Sequence, residues 1–256
     1  MYRIANDLFL AVSYFTRLPV DRWVNYNHAA LDRANAWFPL AGWLVGFAAT
    51  AVLLLSALWL PLPVAILLAM AMTALATGAF HEDGLADTAD GFGPVGDREK
   101  ALAAMKDSRL GVYGLLATIF ILGLKFLALN GLQSSLHAAL ALFAAQPLSR
   151  FAALSLILVL PQVSGAASHT RAVARRLPIA TLVIALITTL PALALLAYLS
   201  LLAVPTVLIA LTATLAIFMR LCRARFGGYT GDCLGAAQQI SETVILLACV
   251  TAAGEL

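Results

Sequence analysis

The fold class predicted is all-α: a polytopic membrane helix bundle of about seven transmembrane helices, six to eight being compatible, behind an N-terminal interfacial helix. Three observations predict it: an apolar composition, two long stretches without charge, and basic residues gathered on alternate connections. Of 256 residues, 62% are hydrophobic and 11% charged, and mean hydropathy is +0.93. Soluble domains carry about 25% charged residues, so this chain lacks the polar side chains needed to cover a water-facing surface. The three cysteines, Cys222, Cys233 and Cys249, make no disulfide framework and share no metal-ligand spacing. With a net charge of +3 and no basic run, nucleic acid is not an expected partner.

Residues 8–15 are an apolar stretch followed by Thr16-Arg17 with no small-x-small cleavage site, which predicts an interfacial helix rather than a removable signal peptide. Asp, Glu, Lys and Arg are absent from residues 34–81 and again from 177–219. The second stretch, 43 residues long, would reach roughly 65 Å as one helix, which is two crossings of a core about 30 Å thick. Each stretch is therefore a helical hairpin. The first turns at Pro61-Leu62-Pro63, giving spans over 38–60 and 64–80, and the second turns within 198–205. Two more spans, 110–129 and 137–160, are joined by the polar turn at 130–135, and 234–253 makes a seventh.

Seven spans in this order put the N-terminal stretch and residues 81–109, 161–177 and 220–233 on one face. Every Lys and Arg except Lys125 and Arg150 falls there, which assigns that face to the cytoplasm. Lys125 and Arg150 either snorkel, pair inside the bundle or line a cavity. Gln146-Pro147 lies inside the fourth span, where it interrupts the helix or makes it re-entrant, and this sets the range of six to eight crossings. The chain is expected to be one integral membrane domain, 1–256, multi-pass in a bacterial inner membrane, with its active segment 81–109 cytoplasmic.

That segment holds seven of the 13 acids: Glu82, Asp83, Asp87, Asp90, Asp97, Glu99 and Asp107. On a helix Asp83, Asp87 and Asp90 fall within about 60° of one another, a single carboxylate stripe. A solvated loop explains one such acid, but three on one face repel each other and ask for a positive partner. A hard divalent cation suits them, because Mg²⁺ takes one or two carboxylates together with substrate phosphates and water. A phosphorylated substrate follows. His81 adjoins the stripe and is either a ligand-orienting group or a surface histidine.

Downstream, Lys106, Asp107, Ser108 and Arg109 stand at the mouth of the third span, as interfacial anchors or as a phosphate clamp. The third constellation, Gly227-Gly228-Tyr229-Thr230-Gly231-Asp232, opens the last span. Glycines before a helix start present backbone N–H groups to phosphates, and a capped helix after a Gly-rich turn accounts for the same pattern. Asp232 is placed like an N-cap. Glu242, inside the last span, is an intramembrane acid and so a functional candidate.

Together, residues 81–91 (HEDGLADTADG), 105–111 (MKDSRLG) and 227–232 (GGYTGD) resemble the cobalamin synthase, or adenosylcobinamide-GDP ribazoletransferase, family. Phe15-Thr16-Arg17-Leu18-Pro19-Val20 and Trp37-Phe38-Pro39-Leu40 extend the likeness over the whole chain. The resemblance implies an Mg²⁺-dependent membrane transferase that joins adenosylcobinamide-GDP to α-ribazole or its 5′-phosphate and releases GMP. It places Asp83, Asp87 and Asp90 on the metal, with Glu82 an added acid at a position the motif leaves unspecified. Asp90 is also the expected acceptor of the hydroxyl proton, Lys106 and Arg109 stabilise the leaving GMP, and Asp107 pairs with them or serves the metal. His81, Ser108, Gly228, Thr230, Gly231 and Asp232 are the expected substrate-binding residues. Expected partners are the corrinoid nucleotide, α-ribazole and the lipid bilayer, with an oligomer left open.

Two rivals have specific signatures. A CDP-alcohol phosphotransferase-type lipid enzyme carries Asp-Gly-x-x-Ala-Arg, and here Asp87 and Thr88 stand where that Ala and Arg belong. A transporter would show an inverted repeat and midplane acids, whereas these acids gather at one face.

Overall fold

The computed structural model describes residues 2–93, 95–163 and 177–254. The hairpins turn where proline requires it. Helix α3 (Phe38–Ser56) is followed by α4 (Leu62–Thr77), whose N-cap is Pro61 with Pro63 in its first turn. Proline is tolerated there because a first-turn N–H has no intrahelical partner. Helices α9 (Ile179–Leu199) and α10 (Ala203–Phe226) turn at residues 200–202. Between them run α7 (Val112–Gly131) and α8 (Ser135–Val159), and α11 (Gly231–Ala253) is the last helix of the bundle. Among the described residues six helices are long and apolar enough to cross a membrane, and a seventh crossing is counted if α4 is joined with α5 (Phe80–Phe92). The predicted count of about seven agrees with this.

The joint between α4 and α5 is bent by 88°. Two consecutive left-handed residues make the break, Gly78 at φ +71° and Ala79 at φ +57°. Alanine in that conformation costs about 1–2 kcal/mol, so surrounding contacts must hold it. Helix α4 ends at this bend, and α5 turns aside and lies over the first turns of α7 and α11. A short helix, α6 (Arg98–Ala104), follows it.

The N-terminal helix, α1 (Tyr2–Phe15), is docked rather than merely interfacial. It buries Leu10, Ala11, Val12 and Phe15, and its buried Asp7 receives a two-pronged ion pair from Arg33 at 2.7 and 2.8 Å. Arg33 lies on α2 (His28–Ala34), which runs through a 3₁₀ turn into α3. The predicted connection 161–177 lies, over 164–176, outside the described residues.

Pro147 does not break α8, which continues for 25 residues. The helix is tightly packed beside it: a Cβ at Gly42 of α3 would stand 2.8 Å from the Gln146 carbonyl oxygen, and Arg150 Nη1 donates to that oxygen at 2.9 Å. Pro191 also lies within an unbroken helix, α9, where the Trp43 indole donates to the Thr188 carbonyl at 2.8 Å.

Lys125 and Arg150 do not snorkel. Lys125 Nζ donates to Gln239 Oε1 at 2.6 Å and lies 3.2 Å from Glu242 Oε2, and Gln238 joins Glu242 to Ser149 at 2.8 and 3.0 Å. Gln239 in turn donates to Glu82 Oε1 at 3.0 Å. Arg150, 1% exposed, donates to Gln146 and feels the carboxylates of Glu242 and Glu82. Two cations and two acids balance inside the bundle, which is the condition under which buried charge is tolerable. Removing one partner strands the other. Lys125→Met should therefore lower unfolding stability in detergent by about 3 kcal/mol, and Lys125→Met with Glu242→Leu should recover most of the loss; equal loss in single and double variants would disprove the pairing.

Candidate active site

Helix α5 carries the chemistry, and glycines bring it to its neighbours. A Cβ at Gly84 would stand 2.9 Å from the Asp232 carbonyl oxygen and 3.2 Å from the Gly235 Cα, so α5 and α11 cross at backbone contact. At its other end, Arg225 of α10 donates to the carbonyls of Gly91 and Gly96 at 3.1 and 2.7 Å. A cation at a helix C-terminus is favourably placed. Sequence reasoning gave Arg225 no role; its only signal was a basic cluster before the Gly-Gly turn.

The carboxylate stripe divides on folding. Asp90 accepts from Gly111 N at 2.8 Å and from Gly114 N at 2.9 Å, capping the first turn of α7 with both oxygens. A Cβ on either glycine would collide with that carboxylate, which explains both glycines. Asp90, expected on the metal and as the base, thus has both oxygens engaged by backbone N–H groups of α7. Asp83 and Asp87 take no hydrogen bond or ion pair among the described residues. Asp87 is pushed up to about 6, first by burial and then by the charges of Asp83, Asp232 and Asp90. Asp232, on the first turn of α11, completes the cluster.

Asp232 is not the N-cap. Thr230 is, its hydroxyl accepting from Cys233 N at 3.2 Å, and Asp232 sits in the first turn with its carboxylate 3.3 Å from the Thr230 hydroxyl. The preceding turn is tight: Gly227, at φ +77°, ends α10, and Gly228 packs on the Pro161 carbonyl with no room for a side chain. Tyr229 N donates to that same carbonyl at 3.0 Å. Gly228 is therefore a packing residue. Gly231, by contrast, faces open space.

Glu82 and His81 lie on the inner face of α5. Glu82, expected beside the metal, instead reaches into the bundle to Gln239, with its second oxygen buried and unpartnered. His81 is not a surface residue: it is 2% exposed, stacked on Phe38, and held neutral by burial and by Arg150 and Lys125. Lys106, Asp107, Ser108 and Arg109 form an exposed loop before α7. Arg109 grips Asp107 at 2.7 and 3.0 Å, and this pairing draws Asp107 down to about 2. No bond joins the loop to Asp83 or Asp87 among the described residues.

Among the described residues no three His, Cys, Asp or Glu side chains converge as a complete metal cage. The donor set nevertheless fits a hard cation. Asp83 and Asp87 offer only oxygen, they lack partners among the described residues, and burial penalises the charged form of Asp87. Mg²⁺ habitually takes two carboxylates and completes its shell with substrate phosphates and water.

Comparison with known proteins supplies the lineage. A family described as cobalamin-5-phosphate synthase matches residues 7–250. An adenosylcobinamide-GDP ribazoletransferase of Leptothrix cholodnii is 42% identical over 249 residues, 95% of this chain and 94% of that protein. A protein of the same name from Shewanella pealeana is 42% identical over 245 residues, 94% of this chain and 93% of its own. No solved structure matches. The chain belongs to the cobalamin-5-phosphate synthase family.

Proposed function

We propose that the chain joins adenosylcobinamide-GDP to α-ribazole, or to its 5′-phosphate, with Mg²⁺ bound at Asp83 and Asp87 and with release of GMP. Family membership makes it a transferase of cobalamin biosynthesis and sets aside the lipid phosphotransferase and the transporter. The observation that carries the chemistry is the pair of carboxylates Asp83 and Asp87, without partners among the described residues and close to Asp232 where α5 crosses α11.

A ribose hydroxyl oxygen attacks the phosphorus that carries the cobinamide ester. The new O–P bond forms as the bridging P–O bond of the pyrophosphate breaks, and GMP departs with the electron pair. Asp83 and Asp87 would hold the ion, which supplies Lewis-acid stabilisation of phosphate charge when bound. The remaining work falls to this chain's own groups. Asp232, free of the cap role, is the carboxylate set to orient the hydroxyl and accept its proton. Lys106 and Arg109 lie in a loop that reaches the site only on substrate binding, when Arg109 exchanges Asp107 for the departing phosphate. The basic-residue bias supports a cytoplasmic site in a bacterial inner membrane.

Purified protein given adenosylcobinamide-GDP, α-ribazole and Mg²⁺ should release GMP, and a chelator should abolish the release. Release unaffected by the chelator would refute the metal. Asp83→Asn and Asp87→Asn should each lower kcat/KM roughly 100-fold or more, partly relieved by raised Mg²⁺. Arg109→Ala should leave the melting temperature unchanged, its ion pair being exposed, while lowering kcat at least about tenfold. Wild-type kcat in that variant would remove Arg109 from the reaction.

A further inference from the structure

A cavity of about 490 Å³ lies between the N-terminal helices and the ends of α8 and α11, beside the acid cluster but not part of it. Its size falls within the roughly 300–1,000 Å³ typical of small-ligand sites. Aromatic rings wall it. Phe15 and Phe38 stack at 4.0 Å and 26°, Phe38 and His81 at 5.7 Å and 18°, and Tyr14 meets Phe80 edge-on at 5.9 Å. Such walls accept a further flat ring by offset or edge-on packing.

The cavity is not uniformly apolar. Asn35 lines it with its amide nitrogen engaged only at 3.3 and 3.5 Å and its carbonyl oxygen without a partner among the described residues. His81, 2% exposed, contributes its imidazole ring to the wall, with Nε2 buried behind it. An acyl chain would not use the Asn35 amide; a heteroaromatic nucleoside has a ring nitrogen and ribose hydroxyls for it. Gly231 and Gly235 line the cavity on the α11 side, and a Cβ at Gly231 would meet nothing within 4 Å. The next residue is Asp232, so the cavity ends where the acids begin.

We infer that this cavity takes the flat two-ring base of α-ribazole, stacked among the aromatic walls, with the ribose directed to the first turn of α11. The assignment rests on the reaction proposed above. It gives Phe15, Phe38 and Asn35 a substrate-selecting task and separates the acceptor from the nucleotide side of the site.

The test compares wild type with Leu31→Trp, which fills the cavity, and Tyr14→Ala, which removes a wall residue that is 48% exposed and so does not hollow the core. In both variants KM for α-ribazole should rise about tenfold, while kcat and KM for adenosylcobinamide-GDP stay within about twofold. Equilibrium dialysis of α-ribazole alone should show the same loss of affinity. Unchanged α-ribazole affinity in a turning-over variant overturns the cavity assignment and leaves the reaction standing, as does release of a co-purified lipid by Leu31→Trp with kinetics intact. Wild type that binds α-ribazole, loses it on Leu31→Trp, and yet releases no GMP would sink the reaction and leave the cavity. Wild type that binds no α-ribazole overturns both.

Discussion

The site depends on one close approach, the crossing of α5 over the first turns of α7 and α11. Helices packed through ordinary side chains lie about 8–10 Å apart, and here the approach is closer. Gly84 and Gly235 bring the backbones into contact, so Asp232 of α11 sits among the charges of α5. The same helix is fastened at its far end by Asp90 on α7 and by Arg225 on α10. The left-handed break at Gly78 and Ala79 makes this placement possible, because a straight continuation of α4 would carry the acids away from both helix starts.

Beneath α5 the bundle supplies a second anchor. Glu82 is the contact between the site helix and the buried polar chain of Gln239, Lys125, Glu242, Gln238 and Ser149. Each member is costly in an apolar surrounding on its own, and each becomes tolerable through its neighbours. A chain of that kind has few alternative arrangements, so it registers α5 against α7, α8 and α11 more tightly than apolar packing would.

Charge gaps and prolines made the spans legible, because a hydrocarbon slab imposes length and apolarity on any helix that crosses it. The stripe of Asp83, Asp87 and Asp90 was legible as helical spacing, yet its division was not. Spacing reports which face an acid occupies and says nothing of what lies opposite; Asp90 finds two backbone N–H groups 21 and 24 residues along the chain. The direction of Glu82 was not legible for the converse reason: one residue from Asp83, it is rotated about 100° and looks inward. Glu242 stood out as an intramembrane acid, but its partner and those of the neighbouring Gln238 and Gln239 lie on three other helices. His81 shows the same limit, since nothing local distinguishes a buried histidine stacked on Phe38 from an exposed one.

Counting charge against the backbone narrows what the cluster needs. Two helix N-termini meet α5, and each offers about half a positive charge. The start of α7 is taken by Asp90, which accepts two of its amide protons. The start of α11 stands under Asp232, in the first turn, where a carboxylate is favoured by the same dipole. Asp83 stands in the first turn of α5 itself, where the dipole favours it in part, and Asp87, one turn further on, has no helix start, cation or donor among the described residues. Two carboxylates on adjacent turns of one helix, without a cation between them, suit one divalent ion. The incoming pyrophosphate adds further negative charge at the same place, so the ion and the diphosphate are expected to bind together. The neutral base of the acceptor has no such need, and it is the aromatic cavity on the other side of Gly231, rather than the acids, that suits it.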